Sequence, residues 1–248
     1  MSYNLILGLV SFISGIYWAM FHQGKNSPPE VSISLIEKKN TFPWNSMVPY
    51  SISVSDAEDG KTAFNEILPS EVLLEVKYLS DSSHTKKYLS SRSELDRAVL
   101  VKMSTASCFN CHATKAKVIG PSFEQIASRY KSGSVSIDSI SKNIIVGTTG
   151  RWSDLKMPPH PDLKVREVKE MVAWILKNGT DTDVDYFVGI EGAFSTREKP
   201  KNVTGREVYV LIATYLDEGM KNEKTSGDPN KMSGRQLGQR ILQLKNAE

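Results

Sequence analysis

The sequence predicts a multidomain chain of mixed α and β structure, in which an all-α unit over 93–179 is flanked by a β-sandwich over 31–92 and a short β extension over 180–248. Three patterns carry that expectation. Apolar residues recur at every second position at Val31, Ile33 and Leu35, at Tyr50, Ile52 and Val54, and at Val72, Leu74, Val76 and Tyr78, as they do in strands with one buried face. They recur at helical spacing at Leu95, Ala98, Val99 and Met103 and again at Val165, Val168, Met171, Val172, Ile175 and Leu176, the stripe of an amphipathic helix. Beyond 180 the helical period is gone, and 190–196, 208–216 and 240–244 alternate like strands around a polar stretch over 221–233. Three strands are marginal alone, so they should pack on one of the other units.

At the start of the chain, residues 5–21 are apolar except for Ser11 and Ser14 and carry no charge, at the short end of a membrane-spanning helix. A secretory signal begins with basic residues and ends in small ones. Here Met1–Asn4 holds no Lys or Arg, and the far end is bulky, with Tyr17 and Trp18 suited to a membrane interface. Residues 1–23 are therefore expected to be an N-terminal anchor, with a cleaved signal as the rival. Either would export the rest of the chain to the bacterial periplasm. Gly24, Asn26, Ser27, Pro28 and Pro29 make 24–30 a linker. The turn Ser55-Asp56-Ala57-Glu58-Asp59-Gly60 gathers three carboxylates, which admits a calcium site at Asp56, Glu58 and Asp59, although most such turns are merely solvated. Residues 80–91, rich in Ser and Lys, read as a connector. In Phe42-Pro43-Trp44, in 49–54 and in that acidic turn, the segment resembles the Ig-like, PKD-type modules of bacterial exported proteins.

The helical unit contains Cys108-Phe109-Asn110-Cys111-His112. Two thiols three positions apart can each add across one vinyl group of a porphyrin, and the adjacent histidine then lies under the iron, so the motif reads as covalent attachment of one haem c. A structural zinc needs four ligands. This chain has two cysteines, and His22, His84 and His160 fall at no zinc-finger spacing. A thioredoxin-type dithiol would need a preceding strand and a doubly wound sheet, which the pattern lacks. Ser93 caps the helix leading to the motif, with Glu94 and Asp96 in its first turn. Further helices are expected over 123–131, 137–146 and 165–177, the last stopped by Asn178-Gly179. Together they hold too little aliphatic material for a full core, and a porphyrin would fill the gap. Two residues compete for the sixth position on the iron. Met157 stands before Pro158-Pro159, which fix the backbone and would aim a soft, neutral thioether at the metal. His160 would have to reach past both prolines. Met103 and Met171 sit in helical stripes and read as core.

With Gly120-Pro121, Gly150-Arg151-Trp152, Met157-Pro158-Pro159-His160-Pro161 and the helix containing Val172-Ala173-Trp174-Ile175-Leu176, the unit resembles the class I c-type cytochromes of bacteria. The resemblance implies thioethers at Cys108 and Cys111, His112 and Met157 as axial ligands, and a Pro121 carbonyl that receives the ring N–H of His112. It also implies contacts from Trp152 and Arg151 to the haem propionates. The expected function is single-electron transfer by an exported carrier and not an enzyme. One rival is an electron-accepting subunit of a larger dehydrogenase or respiratory complex. Another is a carbohydrate-binding β protein that uses Trp44 and Tyr50, and a third is a haem enzyme or gas sensor. Residues 93–179 carry thirteen Lys or Arg against eight Asp or Glu, while each flank has one more acid than base. That balance favours an acidic redox partner; no nucleic-acid partner is expected.

Overall fold

The computed structural model describes residues 26–37, 39–131, 137–152, 154–219 and 234–247. The expected N-terminal anchor within 1–23 and the polar stretch 221–233 lie outside them. Among the described residues no helix is long and apolar enough to cross a membrane. The chain runs through strands β1 (Glu30–Leu35), β2 (Thr41–Phe42), β3 (Met47–Asp56), β4 (Gly60–Lys61) and β5 (Val72–Leu79). Helices α1 (Thr85–Ser91), α2 (Glu94–Thr105), α3 (Phe123–Lys131), α4 (Ile137–Val146) and α5 (Val165–Asn178) follow. Strands β6 (Val184–Val188), β7 (Glu191–Ser195), β8 (Val208–Leu216) and β9 (Leu237–Asn246) complete it.

The strands before and after the helices do not form a sandwich and a separate extension. They interleave. In one sheet β3 pairs antiparallel with β1 on one side and with β4 and β7 on the other; in the second the order is β2-β9-β8-β5-β6. Strand β5 thus lies between β6 and β8, with Leu74 opposite both Phe187 and Ala213. The helical region is therefore an insertion between the neighbouring strands β5 and β6. The physical reason is edge satisfaction: the 31–79 strands alone would leave the backbone groups of β5 unpaired on both sides, and the strands after 184 supply both partners.

Strand β8 is buried at every residue, because both faces of its sheet are covered. Tyr209, Leu211, Ala213 and Tyr215 point into the core between the sheets, with Phe42, Tyr50, Val72, Leu74, Phe194 and Leu244. Val208, Val210 and Ile212 point the other way and meet Tyr88 and Leu89 of α1, while Leu216 meets Ala98 and Val101 of α2. Alternation places one set inward and one outward, and helices cover the outward set. This also explains α1, which the Ser- and Lys-rich composition of 80–91 concealed: Tyr88 and Leu89 suffice to seat it. Trp44 and Tyr50, the candidate carbohydrate platforms, belong to the inter-sheet core. Trp44 packs edge-on against Phe42 at 5.0 Å, and Tyr50 is buried, which pushes its phenol up to about 12.

The helices share a second core in which Val99, Leu100 and Met103 of α2 meet Met171, Trp174 and Ile175 of α5. Lys102 to Glu167 at 2.9 Å and Lys177 to Asp96 at 3.2 Å tie the two helices at their flanks. Leu73, Tyr186 and Val188 from the outer face of the sheet complete this core.

Candidate functional site

Helix α2 delivers the Cys-x-x-Cys-His motif. A reciprocal cap starts it, with the Ser93 hydroxyl accepting from the Asp96 amide at 3.1 Å and the Asp96 carboxylate accepting from the Ser93 amide at 3.1 Å. It ends at Thr105, and Ser107 turns the chain out with a left-handed φ of 61°. One tight turn follows, in which the amides of Cys111 and His112 both donate to the Cys108 carbonyl, at 3.2 and 3.0 Å. That turn sets Cys108, Cys111 and His112 on the rim of one cavity of about 280 Å³, far above the ~10–15 Å³ that a single water needs. Burial pushes the Cys108 thiol up to about 11. A redox-active dithiol requires the opposite shift.

His112 is held in one orientation. Its Nδ1 lies 2.7 Å from the Pro121 carbonyl oxygen, and because a carbonyl can only accept, Nδ1 carries the proton and Nε2 keeps its lone pair. Burial lowers the pKa of the ring, outweighing the Pro121 carbonyl, which favours the charged form, so the imidazole is neutral as a metal ligand must be. Phe123 stacks on it at 5.9 Å and 23°. Gly120 packs tightly against the ring: a Cβ there would stand 2.5 Å from His112 Cε1. The Gly120 amide also donates to the Cys111 carbonyl at 2.9 Å.

Another part of the cavity lining is the loop between α4 and α5. Thr148 and Met157 exchange backbone hydrogen bonds at 3.2 and 2.9 Å, which fixes the backbone of Met157 before its two prolines. Gly147, at φ 77°, permits this closure, since a Cβ would meet the Met157 carbonyl oxygen at 2.8 Å. The amide of His160 donates to the Ile144 and Ile145 carbonyls at 3.2 and 3.1 Å and so ties the loop to the C-terminal end of α4. The same cavity is lined by Arg151 and Trp152. Arg129 of α3 holds that stretch, with its guanidinium 4.4 Å from the Trp152 ring centroid and a hydrogen bond of 2.9 Å to the Arg151 carbonyl.

Cys108, Cys111, His112, Pro121, Arg151, Trp152 and Met157 therefore line one mostly apolar cavity. His160 lines it too. The donor set fits a covalently held haem: two thiols beside a neutral imidazole with Nε2 free, a thioether, and a glycine cradle that any side chain would fill. Sequence pattern alone gives neither Gly120 nor Arg129 a functional role. Gly120 stood visible in the Gly-Pro pair, whereas nothing local marks Arg129.

The acidic turn behaves otherwise. Asp56 accepts from the amides of Glu58 and Asp59 at 2.9 and 2.8 Å. Asp59 accepts from the Tyr215 hydroxyl at 2.7 Å and the Glu218 amide at 2.9 Å, and Glu58 faces Ser27. The three carboxylates bond to separate partners, with the buried Asp56 Oδ2 left without one, and do not converge as a calcium site. Among the described residues no three His, Cys, Asp or Glu side chains are placed to hold a metal ion.

Residues 101–179 match the family model for cytochrome c. The chain is similar to cytochrome c-551 of Azotobacter vinelandii, 33% identical over 72 residues, covering 29% of this chain and 87% of that protein. It is similar to cytochrome c-551 of Allochromatium vinosum, 29% identical over 79 residues, 32% of this chain and 84% of that protein. Cytochrome c-552 of Hydrogenobacter thermophilus is 33% identical over 69 residues, 28% of this chain and 69% of that protein. Among solved structures, wild-type Nitrosomonas europaea cytochrome c552 aligns with a TM-score of 0.29 at 28% identity, covering 30% of this chain and 91% of that one.

Proposed function

Through residues 101–179 this chain belongs to the cytochrome c family, and we propose that it is an exported single-electron carrier with His112 and Met157 as axial ligands. Its cofactor is one covalently bound haem c. One observation carries the reading: a single cavity is lined by both cysteines, by Met157, and by a His112 whose Nδ1 is already committed to Pro121.

When bound, the haem iron supplies the change between ferric and ferrous states. The residues of the chain tune and protect that change. Cys108 and Cys111 hold the group by thioether links. The Pro121 carbonyl, accepting from Nδ1, fixes the ring of His112 and raises its basicity as a ligand through Nε2. The thioether of Met157 is a soft, neutral donor that favours the reduced state and raises the potential. Arg151 and Trp152, which line the cavity, would meet the propionates. With both His112 and Met157 bound to it, the iron would keep no site open for oxygen or substrate, which favours a carrier over an enzyme. We read residues 1–23 as a membrane anchor. The electron donor and acceptor are other redox proteins, and the basic excess of 93–179 suits an acidic one.

The test is carbon monoxide added to the reduced protein at neutral pH, with a potentiometric titration alongside. Wild type should titrate as a one-electron couple and keep its reduced spectrum under the gas, while Met157→Ala should bind it. Binding to the wild type would mean an open sixth position and would overturn the carrier reading.

A further inference from the structure

We propose that Tyr186, a sandwich residue outside the stretch that matches the cytochrome c family, is a positioning residue for the haem-attachment turn. Phe109 stands between the two cysteines. Its ring is held by Phe123 at 5.7 Å and 87° and by Tyr186 at 5.7 Å and 42°. Trp174 closes the circle, 5.6 Å from Tyr186 and 6.3 Å from Phe123, and Phe123 stacks on His112. Four rings therefore brace both the turn that carries the cysteines and the imidazole beside it. Three of them come from the helical insertion, and the fourth comes from β6.

Tyr186 is well placed to act as a fixed wall. Strand β6 is hydrogen-bonded into the sheet with Tyr186 opposite Glu75, and the half-buried ring packs on the helical core beside Leu73 and Val188. Its hydroxyl accepts from Arg92 at 3.5 Å. Arg92 also donates to Tyr88 at 3.1 Å and to Asn178 at 2.8 Å, and lies 3.7 Å from Glu75. Since Arg92 stands just before α2 and Asn178 ends α5, this cluster fastens the start of α2 and the end of α5 to the sheet that carries Tyr186. Iron potentials respond to ligand orientation and to the shell around the ligands, so the bracing should register at the metal.

This inference rests on the electron-carrier reading above, and the experiment separates the two. Wild type, Tyr186→Leu, Tyr186→Phe and Phe194→Leu are each measured for covalent haem by mass, for midpoint potential and for thermal midpoint. Phe194 lies in the core between the sheets, away from the haem turn. Tyr186→Leu should keep its haem yet shift the ferric–ferrous equilibrium at fixed poise by at least about threefold, on the scale where about 59 mV is tenfold for one electron. Tyr186→Phe should restore the wild-type potential, and Phe194→Leu should lower the thermal midpoint without moving the potential. An unchanged potential in Tyr186→Leu, or equal shifts in Tyr186→Leu and Phe194→Leu, would overturn the positioning role alone. A wild type without covalent haem would overturn both readings. If Tyr186→Leu does not accumulate, Phe109→Leu tests the same contact from the other side, with the same expected shift and the same overturning result.

Discussion

Between the two sheets, Phe42, Leu74, Leu211, Tyr215 and Leu244 are sealed from water within one continuous cluster, whereas Met103, Phe123, Met171 and Ile175 of the helical insertion pack on one side and line a cavity on the other. The sandwich fills its interior with its own side chains. The insertion leaves the place of its largest apolar body to a prosthetic group and borrows Leu73, Tyr186 and Val188 from the sheet. Val72 and Leu73, consecutive on β5, feed the two cores separately. Strand pleating is the cause, since neighbours on a strand point to opposite faces. One sheet thus serves as the wall of a self-sufficient core and as the floor of one that is incomplete by itself.

The sharpest break in this comparison is Cys108→Ala with Cys111→Ala. Haem attachment should vanish, as read on the mass of the tryptic peptide 103–115, and the helical signal should fall while the strand signal persists. The complementary change is Leu211→Ala, which opens the sealed core and should cost about 2–5 kcal/mol in denaturant titration. Its visible spectrum should match wild type, because Leu211 points away from the helices. A smaller effect is expected from Gly120→Ala, whose new Cβ would force the His112 ring off the Pro121 carbonyl. Loss of such an orienting partner typically weakens a metal ligand by about 10–100-fold, to be read as weaker retention of low-spin character under denaturant.

The smallest effect sits at the cap of α2. Ser93→Ala should cost about 1 kcal/mol, and its pH dependence has a definite sign. Burial alone would raise the Asp96 carboxyl, but the Ser93 hydroxyl and amide, together with Lys177, outweigh it and hold the group below the usual range. A depressed folded pKa gives stability that is present above the ordinary carboxylate value of about 3.9 and is lost as pH falls through the lower, folded value. The deficit of Ser93→Ala should therefore stay constant near neutrality and shrink below about pH 4, as followed by chemical denaturation at several pH values.

What was legible in the sequence was whatever depends on neighbours along the chain. Helices α3 and α4 fall on 123–131 and 137–146 and strand β8 on 208–216, because periodicity alone defines them. The attachment motif was equally plain, since its chemistry needs five contiguous residues. Alternation shows which face of a strand is buried and nothing about its partner, so the pairing of β5 with β6 and β8 across the insertion could not be read. Strand β6 itself, Val184-Asp185-Tyr186-Phe187-Val188, gives too short a pattern to stand out. Helix α1 was hidden because only Tyr88 and Leu89 anchor it. At the site, Gly120, Arg129 and Tyr186 act through approaches made only in three dimensions.

The unequal self-sufficiency of the two cores is tested most directly by hydrogen exchange on the haem-free Cys108→Ala/Cys111→Ala protein, compared amide by amide with wild type. Strands 72–79, 208–216 and 237–246 should keep their protection, while helices 94–105, 123–131 and 165–178 should lose most of theirs. Helices as protected without haem as with it, or strands and helices losing protection together, would contradict the account.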